Sequence, residues 1–333
     1  MTRPPLESFG DYELVARLGV GGMAETFVAL RRGQDGFEHK VCLKRILPTF
    51  ANDAEFVEMF LREARLSALL HHGHIARVLD FGISNGSHYL VLELIEGTDL
   101  RVVLRHLRRR AESFDSGLVS FLAHALASAL DYAHTADDRG RALGVIHRDI
   151  SPSNVLLSRA GEVKLADFGI AKAMNRPVTV QSNALKGKIA YMAPEYALGR
   201  QCSARSDLFS LGVLLYECLA GFRPFDAGHD LQTIEHARAG RREPLGAASP
   251  HAPGALVNAV EALLDPDPER RPPNARSFLG LITEAPPPPL AVRELGRLVR
   301  SVEPSDAITT IPGVASTRPV STQRPPKRLL SRR

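Results

Sequence analysis

The apolar pattern of this chain changes period once, close to Gly97, and that change limits what it can fold into. Between Tyr12 and Glu96 the runs YELVARLG, ETFVALRR, HKVCLKRIL, ARVLDFGIS and HYLVLELIE are strand-like. Most are separated by turn signals, among them the Gly-rich stretch at 19–22 and Gln34-Asp35-Gly36, which is the signature of an antiparallel sheet. One segment, AEFVEMFLREARLSALL, breaks the alternation: Phe56, Met59, Phe60, Ala64 and Leu70 form a helical stripe behind the cap candidates Asn52 and Asp53. Beyond Gly97 helices dominate, and the segments at 116–134 and 207–220 are apolar enough to lie in a core. The expectation is an α+β, bilobal chain: an N-terminal extension (1–11), a small β-rich lobe with one helix (12–96), a larger and mainly helical lobe (97–285), and a tail (286–333).

The tail concentrates the basic charge. Of the net +5, residues 286–333 supply nine Lys/Arg against three Asp/Glu, so the body is close to neutral at −1 and carries no general nucleic-acid footprint. Pro286–Pro289 end the last helix of the body, because proline lacks the amide donor and clashes with the preceding turn. An amphipathic stretch follows, with Arg293, Arg297 and Arg300 opposite Leu295, Leu298 and Val302, expected to act as a docking or regulatory appendage. From Glu303 on, Ser, Thr, Pro and Arg dominate, and such a segment buries too little apolar surface to offset its ordering entropy. The whole tail is therefore expected to be disordered, with Thr309, Thr310 and Ser331 as phosphosite candidates.

Cys42, Cys202 and Cys218 lie far apart without metal-ligand spacing, as thiols of a reducing compartment do. No apolar leader opens the sequence, and the longest apolar stretch, near 211–222, is too short to span a bilayer. The expectation is a soluble, cytoplasmic protein; nothing in the sequence sets its oligomeric state.

Chemistry enters through an ordered set of motifs. LGVGGMAETF puts Gly19, Gly21 and Gly22 in a turn between two strands, where backbone amides can approach phosphate oxygens. Then come Lys44 in VCLK, Glu63 in the predicted helix, HRDISPSN at 147–154, Asp167 in DFG, and APE at 193–195. Each alone is weak; the order and gaps are not. Together they resemble the signature set of eukaryotic-like serine/threonine protein kinases of bacteria, over roughly Phe9 to Leu281. The wording GGMAETF, HRDISPSN and LKGKIAYMAPE resembles the group found in myxobacteria and their relatives.

The resemblance implies ATP and Mg²⁺ as cofactors, protein substrates as partners, and residue roles to match. Leu18, Gly19, Gly21, Gly22 and Thr26 would cover the nucleotide, and Glu93 to Ile95 would form the hinge that reads adenine, with Leu92 as gatekeeper. Lys44 would hold the α- and β-phosphates and pair with Glu63, Asn154 and Asp167 would bind the metal, and Asp149 would orient the acceptor hydroxyl and take its proton. Asp207 would brace the catalytic loop, Glu195 would pair with Arg271, and Arg148 would receive a phosphate placed on Thr179 or Ser182.

Three positions depart from the family pattern. Ala24 stands for a glycine and Thr26 for a valine, so altered nucleotide affinity is expected. Ser151 stands where a lysine serves the γ-phosphate, and Lys188, in GKIAY where threonine is usual, is expected to restore that charge as a catalytic residue. The rival function is a pseudokinase, an ATP-binding scaffold without turnover; the presence of Lys44, Glu63, Asp149, Asn154 and Asp167 speaks against it. His71, His72 and His74 are expected to pack rather than bind metal, Arg108–Arg110 to form a solvated helix end, and Cys42 to fill a small-residue position.

Overall fold

The computed structural model describes residues 7–21, 23–168 and 187–302. Gly22, the phosphosite candidates Thr179 and Ser182, and Thr309, Thr310 and Ser331 lie outside the described residues.

The small lobe is a six-stranded antiparallel sheet in the order β1-β2-β3-β4-β6-β5, formed by β1 (Glu7–Phe9), β2 (Tyr12–Val20), β3 (Ala24–Arg32), β4 (Glu38–Ile46), β5 (Val78–Ser84) and β6 (Ser87–Glu93). Because successive side chains point to opposite faces, the central strands β2, β3, β4 and β6 feed two clusters. Tyr12, Leu14, Phe27, Leu43 and Val91 pack on one face. Cys42, Ile46, Leu90 and Leu92 pack on the other, against Phe60 and Ala64 of helix α1 (Ala54–Ala68). Asp53 caps α1, accepting from the amides of Glu55 and Phe56.

Residues 7–11 correct the expected N-terminal extension, because β1 pairs with β2 and belongs to the sheet. The three-residue strand offers no period to read. What fixes it is long-range: Phe9 is buried with its ring edge-on to Tyr89 at 5.5 Å, and Arg45 bridges Glu7 and Glu25 while lying 4.9 Å from the Phe9 ring.

In the large lobe, a three-stranded sheet, β7 (Gly97–Asp99), β10 (Val155–Ser158) and β11 (Val163–Leu165), lies under the cleft, while β8 (Asp137–Asp138) and β9 (Arg141–Ala142) form a surface hairpin. The helices are α2 (Leu100–Arg109), α3 (Ser116–Thr135), α4 (Pro194–Ala197), α5 (Ala204–Ala220), α6 (Asp230–Ala239), α7 (Leu245–Ala248), α8 (Gly254–Leu263), α9 (Ala275–Leu281) and α10 (Ala291–Ser301). α3 and α5 are apolar on most sides because they lie in the centre of the core, where Leu122, Leu126, Leu130, Leu208, Leu211 and Leu215 are fully buried. No helix among the described residues is long and apolar enough to cross a membrane.

The expectation of a disordered tail from 286 fails for residues 286–302. α10 packs on α3, β7 and β10, burying Ala291, Leu295 and Val299, with Val302 just beyond its end. The approach is close: a Cβ on Gly161, whose φ is +94°, would sit 1.8 Å from the Val292 carbonyl oxygen, so only glycine fits the turn between β10 and β11. The arginines of the stripe face outward as expected, and Arg300 reaches back to the carbonyl of Arg159.

Candidate active site

Strand parity places the first charged group. Lys44 has the parity of Cys42 and Ile46 on β4, so it points toward α1, and the register sets Thr26 of β3 directly opposite it. Its Nζ donates to Glu63 Oε1 and to Asp167 Oδ1, each at 3.1 Å. Burial disfavours the Lys44 ammonium, but the two carboxylates outweigh it and hold the amine well above its ordinary value. The lysine is thus a fixed cation shared between the small lobe's helix and the large lobe.

The roof of the cleft is the β2–β3 turn. Gly21 N donates to the Ala24 carbonyl at 2.7 Å, and the register brings Gly19 opposite Thr26. Leu18 packs in one cluster with Cys42 and Leu92, the expected gatekeeper. Thr26 is buried, and burial raises the Cys42 thiol far above its usual range, so that cysteine is an inert small packing residue. The floor was missed by sequence reasoning: Leu156, Ala166 and Ala76 form a small cluster joined by Ile95. The spacing that finds Leu156 is its place two residues beyond Asn154, on the strand that leaves the catalytic loop. At the hinge, the Glu93 amide donates to the Arg77 carbonyl at 2.9 Å, and its carboxylate is held by Lys164 at 3.1 Å.

The catalytic loop at 147–154 hangs from Asp207 in the first turn of α5. Asp207 Oδ2 accepts from His147 N at 2.7 Å, Oδ1 from Arg148 N at 2.8 Å, and His134 lies 2.8 Å from Oδ2. Two residues here, Arg148 and Asp167, hold left-handed backbone at φ +63° and +54°. His147 is fully buried and packs on Phe168, ring centres 4.6 Å apart; burial lowers its pKa, which favours the neutral ring. Asn154 Nδ2 donates to the Asp149 carbonyl at 2.6 Å and to Asp149 Oδ2 at 3.1 Å, which fixes the carboxylate relative to the amide.

Lys188 comes to the same carboxylate. Its Nζ donates to Asp149 Oδ2 at 2.7 Å, while Ser151, the other departure, is buried with its hydroxyl 3.0 Å from that of Ser153. A single cleft is lined by Arg148, Asp149, Lys188, Tyr191, Tyr196 and Cys202. Arg148 Nε is buried without a partner among the described residues.

Below the cleft, Arg271 holds Glu195 through two bonds of 2.8 and 2.9 Å, and Ser206 adds a third at 2.7 Å. Burial alone would raise the Glu195 pKa; the Arg271 bonds outweigh it and set the group below its ordinary value. Arg108–Arg110 are exposed, as expected of a solvated helix end, and Arg108 in addition binds Glu217 and donates to the Gly221 carbonyl at 2.8 Å, while Glu217 also accepts from Tyr191 of the segment that carries Lys188. His72 stacks on Tyr132 at 5.3 Å and pairs with Ser128, and His74 reaches the Val163 carbonyl at 3.0 Å, so both are packing residues.

Strand register and hydrogen bonds thus link the β2–β3 turn to Lys44, Lys44 to Asp167 of the large lobe, and Asn154 to Asp149 and Lys188. The protein kinase domain family matches residues 12–279. Among curated proteins, tyrosine-protein kinase MasK of Myxococcus xanthus is 41% identical over 83% of this chain, which spans only 43% of that relative's length. Serine/threonine-protein kinase PknA of Mycobacterium tuberculosis is 33% identical over 97% of this chain and 75% of the relative. Among solved structures, the PknI kinase domain of Mycobacterium tuberculosis aligns with a TM-score of 0.61 at 28% identity, over 84% of this chain and 98% of that one.

Proposed function

The chain belongs to the protein kinase family, and we propose that it transfers the γ-phosphate of ATP to serine or threonine hydroxyls of protein substrates. The observation that carries this reading is the Lys44 ammonium held at 3.1 Å by Glu63, the ion pair that phosphoryl transfer by a kinase requires, with Asp167 brought equally close to the same ammonium. The complete set of Lys44, Glu63, Asp149, Asn154 and Asp167 supports turnover over a scaffold role.

The donor set fits Mg²⁺. The Asp167 carboxylate and the Asn154 amide oxygen are hard ligands, and a magnesium site needs only one or two such groups besides phosphate oxygens. Bound metal would spread the charge of the β- and γ-phosphates. The chain's own residues do the rest. Amides of the β2–β3 turn cover the phosphates, Leu18, Cys42 and Leu156 enclose the adenine, and the Ile95 end of the hinge offers backbone groups to its edge. Asp149 orients the acceptor hydroxyl and takes its proton as the new P–O bond forms.

Ser/Thr acceptors are supported by the names of most curated relatives, among them PknA and the probable serine/threonine kinases of Lactococcus lactis and Streptomyces coelicolor. The Myxococcus relative is named for tyrosine, so the acceptor is part of the test. Incubation with Mg²⁺ and γ-labelled ATP, followed by phosphoamino-acid analysis, should yield phosphoserine or phosphothreonine, and none with Asp149→Ala. Label that persists in Asp149→Ala, or its absence from the wild type, would favour the scaffold; phosphotyrosine alone would replace the acceptor class.

A further inference from the structure

Three carboxylates, Glu63, Asp149 and Asp167, converge on a cleft that must also receive a polyanionic nucleotide. Lys44 serves two of them. The remaining one, Asp149, is met by Lys188, and Ser151, two residues further along the catalytic loop, brings only a buried hydroxyl engaged with Ser153. Lys188 thus sets a positive charge beside a carboxylate that would otherwise face the incoming phosphate with its negative charge less offset.

Lys188 is presented from a fixed backbone. It precedes the 3-10 turn Ile189–Tyr191, whose Tyr191 amide donates to the Lys188 carbonyl at 3.1 Å. The Tyr191 hydroxyl is anchored on Glu217, and Arg223 reaches the Gly187 carbonyl at 3.4 Å. The side chain is 23% exposed, so its ammonium lies at the cleft wall rather than in the core. A lysine is a compact charge on a flexible four-carbon stem, able to exchange one anionic partner for another a few ångströms away.

We propose that Lys188 is the cation for the transferred phosphoryl group, supplied from the segment that leads into the Ile189–Tyr191 turn instead of from the catalytic loop. With no nucleotide it neutralises Asp149. When ATP is bound, the γ-phosphate competes for the ammonium, which turns to it and leaves Asp149 Oδ2 to the acceptor hydroxyl. In the step itself the acceptor oxygen bonds to the γ-phosphorus as the bond to the β,γ-bridging oxygen breaks. The electron pair departs with ADP, the acceptor proton passes to Asp149, and Lys188 takes no part in the proton transfer. A preorganised charge at that place acts on the transition state more than on the bound ground state.

This rests on the kinase reading, and two measurements keep the failures apart. The first is turnover by the full chain with Mg²⁺. Lys188→Ala and Lys188→Met should lower kcat by roughly 100-fold, and Ser151→Lys in the Lys188→Ala background should recover part of the loss. The second is binding, which needs no turnover: calorimetric Kd values for Mg²⁺ with ADP and with a non-hydrolysable ATP analogue. The preference for the triphosphate should fall about 10-fold in Lys188→Ala, with ADP affinity unchanged. If kcat stays within ~3-fold of wild type, the proposal is wrong. It is equally wrong if the triphosphate preference is intact and only the peptide KM or the melting temperature moves, because Lys188 is then a latch holding its own segment to the loop. A wild type without Asp149-dependent transfer would defeat the kinase reading, and the nucleotide preference would still decide the role of Lys188.

Discussion

Replacing Leu295 by alanine tests whether α10 is part of the catalytic body. The side chain is fully buried on the large lobe, in contact with the core that α3 and α5 build. Leucine-to-alanine changes at such sites cost ~2–5 kcal/mol, and the value depends on how far the walls collapse into the space left behind. Here part of the wall is backbone. Gly161 lies under Val292 with no room even for a methyl group, and Arg300 ties the helix to the carbonyl of Arg159. Little collapse is available, so the expected loss is about 3 to 4 kcal/mol. At about 2.1 cal/mol/K of unfolding entropy per residue, a body of this size would lose roughly 5–7 °C in Tm. The assay is thermal unfolding of the full chain by circular dichroism, with Arg297→Ala, an exposed neighbour on the same helix, as the control. If Leu295→Ala melts within about 1 °C of Arg297→Ala, the helix is not docked and the boundary of the body returns to residue 285.

Arg271→Ala should destabilise by ~3–5 kcal/mol, because it leaves the buried Glu195 carboxylate without its cation, and urea melts will show a lower midpoint at constant m. The paired change Arg271→Met with Glu195→Gln should cost clearly less, and equal costs would mean that packing, not charge, sets the effect. Stability should also fall in two stages on acidification. His147 titrates below its ordinary value of 6.5, so its neutral form favours the fold and that contribution is lost as pH drops from 6.5 through the lower folded value. Glu195 titrates below its ordinary 4.5, so its contribution is complete above 4.5 and lost on further acidification. Urea midpoints that stay flat from pH 7.5 to about 5 would refute the first sign, and midpoints that stay flat from about 5 down to about 3 would refute the second.

Much of this arrangement was legible in the sequence because its signals are local. Five of the six strands of the small lobe follow from alternation, and α1 follows from its stripe and from Asp53, which does cap it. What failed to show was carried by distant partners. β1 has three residues and no pattern, and is held by Arg45, Tyr89 and pairing with β2. Arg108 is exposed, as it reads, but its ion pair does not show because the partner Glu217 lies 109 residues away. The amphipathic face of α10 was visible, but a stripe does not say what it faces; the glycine that admits it, Gly161, sits 131 residues before Val292 in a turn that looks ordinary.

The site shows the same division between local and distant information, with one instructive exception. Motifs located Lys44, Glu63, Asp149, Asn154 and Asp167, since phosphoryl transfer fixes the residue types and the fold fixes their order. The cleft floor at Leu156 and Ala166 has no such chemistry to mark it, and an apolar residue in an apolar strand carries no signal of its own. The pairing of Ser151 with Lys188 has no local signal either. Two departures from one pattern, Ser151 and Lys188, made it an expectation, and Lys188 lies 2.7 Å from Asp149, two residues before Ser151. A lost charge in a cleft that must bind an anion is a demand that some other residue has to meet. The demand has a sign and a place, so it narrows the search to cations that the backbone can deliver there.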